Sequence, residues 1–258
     1  MRVIFSHRLL AVAAVCACVA AQAQTYKVGR VERQRILIDQ RYDAHPSQEA
    51  EQLIAPYRAK VDSVMKPVVG RAARDLERFR PESPLSNLLT DILVDAGKAY
   101  GEKPDFGVYN MGGIRATLAQ GDVTYEDVLN VAPFENKICF VTLTGTDVLQ
   151  LFREMGGNGG EAVSRQVRLV YDKDGHLLKA RIKGKKVKAK KKYRIATIDF
   201  VAQGNDNMKA FTRATNVNQP REQRNNVRYI IMNYLERKMK KGIAVDARVE
   251  GRVVFRNK

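Results

Sequence analysis

Residues 105–134, DFGVYNMGGIRATLAQGDVTYEDVLNVAPF, decide how the rest of the chain reads. Phe106, Val108 and Tyr109 form an apolar run that predicts a strand, and the run breaks at Asn110-Met111-Gly112-Gly113. Paired glycines let backbone N–H groups approach a ligand closely, because no Cβ stands in the way. Arg115 follows, with five fixed donors suited to an oxyanion. After Gly121, Thr124 and Asp127 make a Thr-x-x-Asp capping pattern. It predicts a short helix over 125–131 that stops before Pro133 and leaves Phe134 on a loop. Strand, glycine turn and capped helix together predict a cradle for a small, polar, phosphate-bearing ligand.

Working outward, alternation over 137–143 predicts a strand, and Gly145-Thr146 leads into a helix over 147–155 closed by Gly156-Gly157. Toward the N-terminus, Ser47 caps a predicted helix running to Met65, with Leu53, Ile54, Tyr57, Val61 and Val64 at helical spacing. A strand starts at Val68, and an apolar-patterned helix spans 86–100. Residues 28–39 read as extended or as a short strand.

Residues 167–171 and 193–198 look like strands, and Asp174-Gly175 and Lys183-Gly184 look like tight turns, so the region reads as a meander with basic outer edges. Residues 179–192, KARIKGKKVKAKKK, carry nine Lys or Arg. Lysines at such edges keep strands from pairing with other chains, and they also suit a polyanion. A final amphipathic helix over 223–240 and a strand over 248–255 close the chain. Strands and helices mix without a βαβ rhythm, which predicts an α+β fold: a single domain with a mixed β-sheet and packed helices.

Arg2, His7 and Arg8, an apolar run over 9–20 and Ala21-Gln22-Ala23 match the regions of a secretory signal peptide, so cleavage near Ala23 and export are expected. The expected organisation is a leader (1–23), an N-terminal segment and helix packing on the domain (24–66), and a ligand-binding domain (67–258). The apolar run is too short for a membrane span, and no other segment comes close to one. Loss of Arg2 and Arg8 with the leader lowers the net charge from +17 to +15, which favours anionic partners without choosing among them. Cys16 and Cys18 would leave with the leader, so Cys139, in an apolar run, is expected to be a buried core thiol.

A second ligand-type element lies at 193–206, where a strand gives way to Phe200 and, six residues on, Asp206. Phe134 and Phe200 on loops suit a clamp on a planar base, and Asp206 suits a pair of sugar hydroxyls. Each phenylalanine taken alone also suits a plug at the end of a sheet.

Five segments then occur in order: Glu82 to Asp91 (ESPLSNLLTD), Asn110 to Arg115 (NMGGIR), Pro133 to Asn136 (PFEN), Asp199 to Asp206 (DFVAQGND) and Glu250-Gly251-Arg252. Together they resemble the C-terminal domain of the 5′-nucleotidase family, over about residues 68–255. The resemblance implies that this domain binds the nucleoside while a separate N-terminal metallophosphatase domain carries two metal ions and cleaves the ester. It assigns base stacking to Phe134 and Phe200, ribose hydroxyls to Asp206, a base contact to Asn136, and contacts to the nucleoside and its phosphate side to Asn110 and Arg115, with Gly113 of the same glycine-rich loop also expected to bind substrate.

Three departures stand out. Pro81 occupies the place where an arginine often precedes the Glu82 motif, with Arg80 one residue earlier. The usual Gly-Gly-Asp is Gly204-Asn205-Asp206, tolerable because Asn accepts left-handed backbone geometry. Glu135 replaces the glycine after Pro-Phe and puts a carboxylate near the expected base.

A two-metal phosphatase centre needs several imidazoles and a bridging carboxylate. The chain has three histidines, His7, His45 and His176, none in such a motif, so no catalytic or metal-ligating residue is assigned and divalent metals are expected on a partner chain. The sequence therefore favours the nucleotide-binding half of a split phosphohydrolase. A stand-alone nucleotide binder comes second. A nucleic-acid or anionic-surface binder acting through residues 179–192 comes third.

Overall fold

The computed structural model describes residues 29–42, 44 and 46–256. The expected leader and His45 lie outside the described residues. The chain divides into two compact units between Leu53 and Ile54. In the first, residues 29–39 form neither helix nor strand, and a 3-10 turn follows at Gln40–Tyr42. Helix α1 (Gln48–Met65) forms where its spacing predicts, with Ser47 Oγ accepting the Ala50 N–H at 3.3 Å. None of its residues is buried, and its apolar stripe from Leu53 to Val64 is exposed.

The elements that follow are β1 (Val68–Ala72), α2 (Pro84–Ala96), β2 (Phe106–Tyr109), β3 (Gly121–Thr124), α3 (Tyr125–Val131), β4 (Ile138–Thr144), α4 (Gly145–Gly157), β5 (Ala162–Val163) and β6 (Val167–Asp172). Then come β7 (Leu177–Ile182), β8 (Lys185–Lys186), β9 (Lys192–Ile198), α5 (Asp199–Ala202), β10 (Thr215–Asn218), α6 (Val227–Met239) and β11 (Val253–Arg256). They form a mixed α+β arrangement of a two-stranded sheet β1-β3, a five-stranded sheet in the order β10-β4-β9-β2-β5 and a four-stranded sheet in the order β11-β6-β7-β8.

Local chemistry sets the helix starts. Ser83 caps α2 through a reciprocal pair with Ser86, and Pro84 sits at the first helical position, where its missing N–H costs nothing. The helix therefore begins two residues earlier than predicted, and Gly97–Tyr100 tightens into a 3-10 turn. Thr124 and Asp127 form the predicted capping box of α3.

The central sheet is the core. Residues 138–143 of β4 are all buried, and Phe106 of β2 meets Phe152 of α4 with ring centroids 5.6 Å apart. Cys139 is buried and free, as expected. By contrast β6 alternates, with Val167, Leu169 and Tyr171 buried and the residues between them half-buried, as a sheet with one covered face requires.

The meander needs one correction. It ends at β8, and β9 leaves it to run between β4 and β2 in the central sheet. The buried Ile195, Ala196 and Ile198 explain this, because such a run belongs in the interior rather than on a basic edge. Lys183 and Gly184 do make the predicted tight turn, both with positive φ (49° and 75°).

The segments 82–91 and 250–252 meet in a structural hub. The Glu82 carboxylate accepts the Asn87 amide and the backbone N–H groups of Glu250 and Arg252, each at 2.7 Å. Arg252, 2% exposed, forks onto Asp91 at 2.8 and 3.0 Å. Two of the five segments behind the family resemblance thus hold the C-terminus to α2.

Candidate functional site

Strands β2 and β9 are parallel neighbours, with Phe106 opposite Ile195 and Gly107 opposite Ala196. Their C-terminal ends therefore lie at the same end of the sheet. Strand β4 runs antiparallel to β9 with Ile138 opposite Ile198, so its beginning lies at that end too. Three loops converge as a result: 110–115 after β2, the segment from Asp199 after β9, and 133–137 before β4. Open sheets characteristically bind ligands outside the carboxyl ends of their parallel strands.

All seven residues singled out from the sequence, Asn110, Gly113, Arg115, Phe134, Asn136, Phe200 and Asp206, line one cavity of about 320 Å³, with Gly112 as the eighth. That volume lies at the small end of ligand pockets, suited to one nucleoside-sized molecule.

The glycine turn is shaped by contact. Asn110 is buried, and its Nδ2 donates to Asp206 Oδ2 at 2.6 Å. Its Oδ1 is buried without a hydrogen-bond partner among the described residues. A Cβ on residue 113 would lie 2.6 Å from that Oδ1 and 3.0 Å from the Tyr109 ring, so only glycine fits there. At residue 112 it would lie 3.5 Å from Asp206 Oδ2, an ordinary contact. Arg115 is exposed, donates to the Gly112 carbonyl at 3.3 Å, and holds its guanidinium 5.9 Å from the Phe134 ring centroid.

Phe200 stands on the helical turn α5 rather than on the expected loop, because Asp199 starts that turn. Asp199 Oδ1 accepts the N–H groups of Phe200 (2.8 Å) and Lys137 (3.1 Å), and its own N–H donates to the Lys137 carbonyl at 2.9 Å. One carboxylate thus ties the two aromatic segments together. Phe134 is 46% exposed, whereas Phe200 is half-buried against the core. Beside Phe134, Arg228 Nη2 donates to the Pro133 carbonyl at 3.0 Å, and the Val227 N–H donates to the Asn136 carbonyl at 2.9 Å.

Two expectations from the departures are corrected. The left-handed residues of the last loop are Gly204, Asp206 and Asn207 (φ 88°, 52° and 58°), not Asn205, whose amide donates to the Phe200 carbonyl at 2.8 Å. Asp and Asn enter this region more readily than other side chains, yet two in succession are uncommon, and such geometry clusters at ligand sites. Glu135 is exposed and does not line the cavity, because the chain turns it toward solvent.

Sequence reading missed a layer beneath these residues. Glu161, buried, accepts the Met111 N–H at 2.6 Å and Arg80 Nη2 at 2.8 Å. Asn158 Nδ2 donates to the Asp206 carbonyl at 2.7 Å. Burial pushes the Glu161 carboxyl above its ordinary range, opposed by the Met111 N–H and by Arg80. The only available signal was an acidic residue between Gly159-Gly160 and the apolar Ala162-Val163. Arg80 turns to Glu161 and the Gly160 carbonyl, which accounts for its guanidinium.

Among the described residues one histidine–carboxylate group has ligand-like spacing, Asp172, Asp174 and His176 at the β6–β7 turn. His176 Nδ1 lies 2.9 Å from Asp172 Oδ2, and none of the three lines the cavity. One imidazole and two carboxylates are too few ligands for a two-metal centre.

Comparison with known proteins agrees with this architecture. A model of the family described as 5′-nucleotidase, C-terminal domain, matches residues 64–213, more than half of the chain. The chain is 30% identical over 164 residues to Protein UshA of Escherichia coli, covering 62% of this chain and 30% of that one. It is 32% identical over 237 residues to the trifunctional nucleotide phosphoesterase protein YfkN of Bacillus subtilis, covering 84% and 16%. The chain thus spans less than a third of the length of these relatives. A 5′-nucleotidase precursor from Thermus thermophilus shares the fold, with a TM-score of 0.68 and 24% identity over 81% of this chain and 43% of that one. Among the described residues no helix is long and apolar enough to cross a membrane. The chain belongs to the 5′-nucleotidase C-terminal domain family.

Proposed function

We propose that this chain is the nucleotide-binding half of an exported 5′-nucleotidase-type phosphohydrolase, supplying substrate recognition to a separate metallophosphatase chain that brings the divalent metals. The observation that carries the proposal is the convergence of Phe134, Phe200, Asp206 and Asn110 on one cavity from three loops of one sheet end. Two aromatic faces suit a base, and base stacking contributes about 1–3 kcal/mol per base. The Asp206 carboxylate suits sugar hydroxyls, and Arg115 suits the phosphate side. Export follows from the leader-like segment before Ala23.

Calorimetry with AMP and adenosine, followed by phosphate release from AMP with the chain alone and with a candidate metallophosphatase plus divalent metal, tests this. The expected result is binding by the chain alone and hydrolysis only in the mixture. Robust hydrolysis by the chain alone would overturn the division of labour. Binding with no association with any phosphatase would leave a stand-alone nucleotide binder.

A further inference from the structure

We infer that Glu161 is a positioning residue of this cavity: it holds the glycine turn and, through Asn158, the Asp206 loop in the arrangement that receives a ligand. The inference rests on the nucleotide-binding reading above. Tyr109 of β2 pairs with Ala162 and Val108 with Val163, so the next antiparallel position sets Glu161 opposite Asn110, where the chain leaves the sheet for the glycine turn.

Gly159 and Gly160 deliver Glu161 to that position. Both have positive φ (76° and 96°), and a Cβ on residue 160 would lie 2.9 Å from the Pro81 Cβ. No bulkier residue can make this approach without strain.

The carboxylate, 1% exposed, then joins three segments. Oε2 accepts the Met111 N–H at 2.6 Å, and Oε1 accepts Arg80 Nη2 at 2.8 Å and Asn158 Nδ2 at 3.4 Å. Asn158 carries the connection onward, donating to the Asp206 carbonyl at 2.7 Å and accepting from Asn207 Nδ2 at 3.3 Å. Its partners Asp206 and Asn207 are the two successive left-handed non-glycine residues of that loop, a backbone geometry its surroundings must hold. Glu161 does not line the cavity, so it acts on a ligand only through these loops. A buried carboxylate is costly to keep for stability alone, whereas a fixed acceptor beneath a ligand loop is what a preformed site requires.

The test uses the full chain and Glu161→Gln, which keeps shape and one acceptor but removes the charge. AMP affinity by calorimetry should fall about tenfold, the loss expected for one charge-assisted hydrogen bond. Hydrogen exchange at the Met111 amide should quicken by about the same factor, and the thermal midpoint should move by less than about 3 °C.

The groups facing Glu161 are Arg80, Asp206 and Tyr171. Acidification should weaken AMP binding to the native chain as Glu161 protonates and releases Arg80. The component of that pH dependence missing from Glu161→Gln belongs to Glu161. Unchanged exchange at Met111 overturns the inference. So does faster exchange with AMP affinity unchanged within about twofold.

If the native chain binds no nucleotide, the functional reading falls, and exchange at Met111 alone decides the positioning role. Should Glu161→Gln fail to fold, Asn158→Ala cuts the limb to Asp206 from a half-buried position. Weaker binding there supports the network, and unchanged binding overturns it.

Discussion

Asn110 Nδ2 donates to Asp206 Oδ2 at 2.6 Å, joining two loops that lie 96 positions apart in sequence. The carboxylate is thereby fixed through one oxygen, and among the described residues Oδ1 takes no hydrogen bond. A fixed acceptor with one free oxygen at a cavity wall is preorganised for hydroxyl donors. Asp206→Asn should therefore weaken adenosine binding by about 10- to 100-fold, the range for hydrogen bonds to a charged group. Calorimetry with 2′,3′-dideoxyadenosine is the control. That ligand should bind the native chain weakly and lose little more in the variant.

The two phenylalanines should separate stacking from packing. Each truncation to alanine removes one stacking face, so Phe134→Ala and Phe200→Ala should each cost about 1–3 kcal/mol of AMP binding. Their effects on folding should differ. Phe134 is 46% exposed, and its truncation should leave the thermal midpoint nearly unchanged. Phe200 packs against the core, and its truncation should lower the midpoint measurably. Equal and undiminished affinity in both variants would remove the clamp.

Much of this site was legible because its signals are local. The glycine turn, the Thr124–Asp127 box and the Phe-to-Asp206 spacing are each written within a few residues, and the structure gathers all seven chosen positions around one cavity. What joins them was not legible. Convergence depends on β2 pairing parallel to β9, a contact between segments about 90 residues apart that no local pattern encodes.

The same limit hid β3, four residues long with its partner β1 about 50 positions away, and hid the departure of β9 from the meander. Glu161 escaped, and Asp199, though it heads a family segment, was not read as an acceptor, because a carboxylate beside an apolar run looks like an edge residue until its partners are seen. The segments 82–91 and 250–252 were readable as family features but not as a buried hub.

That hub yields a prediction that distinguishes structure from binding. Arg252 is 2% exposed and paired with Asp91, which would be left without its fork in Arg252→Met. Breaking a buried pair costs about 3–5 kcal/mol. For a domain of this size that lowers the thermal midpoint by roughly 10 °C. AMP affinity measured well below the new midpoint should be unchanged, because no atom of the hub lines the cavity.

The alkaline limit of stability should carry a contribution from Cys139. Burial, reinforced by the nearby Asp199 charge, pushes its thiol up to about 11 from an ordinary value of 9.0. The folded chain resists forming the thiolate, whereas the unfolded chain forms it readily. The contribution is therefore fully present below about pH 9 and is lost as pH rises from there through about 11. Denaturant midpoints measured across that interval should fall more steeply for the native chain than for Cys139→Ala. Burial raises the Tyr109 and Tyr171 phenols as well, so both proteins should continue to lose stability at higher pH. The same burial predicts that iodoacetamide leaves Cys139 unmodified at pH 8 in the folded chain and alkylates it once denaturant is added.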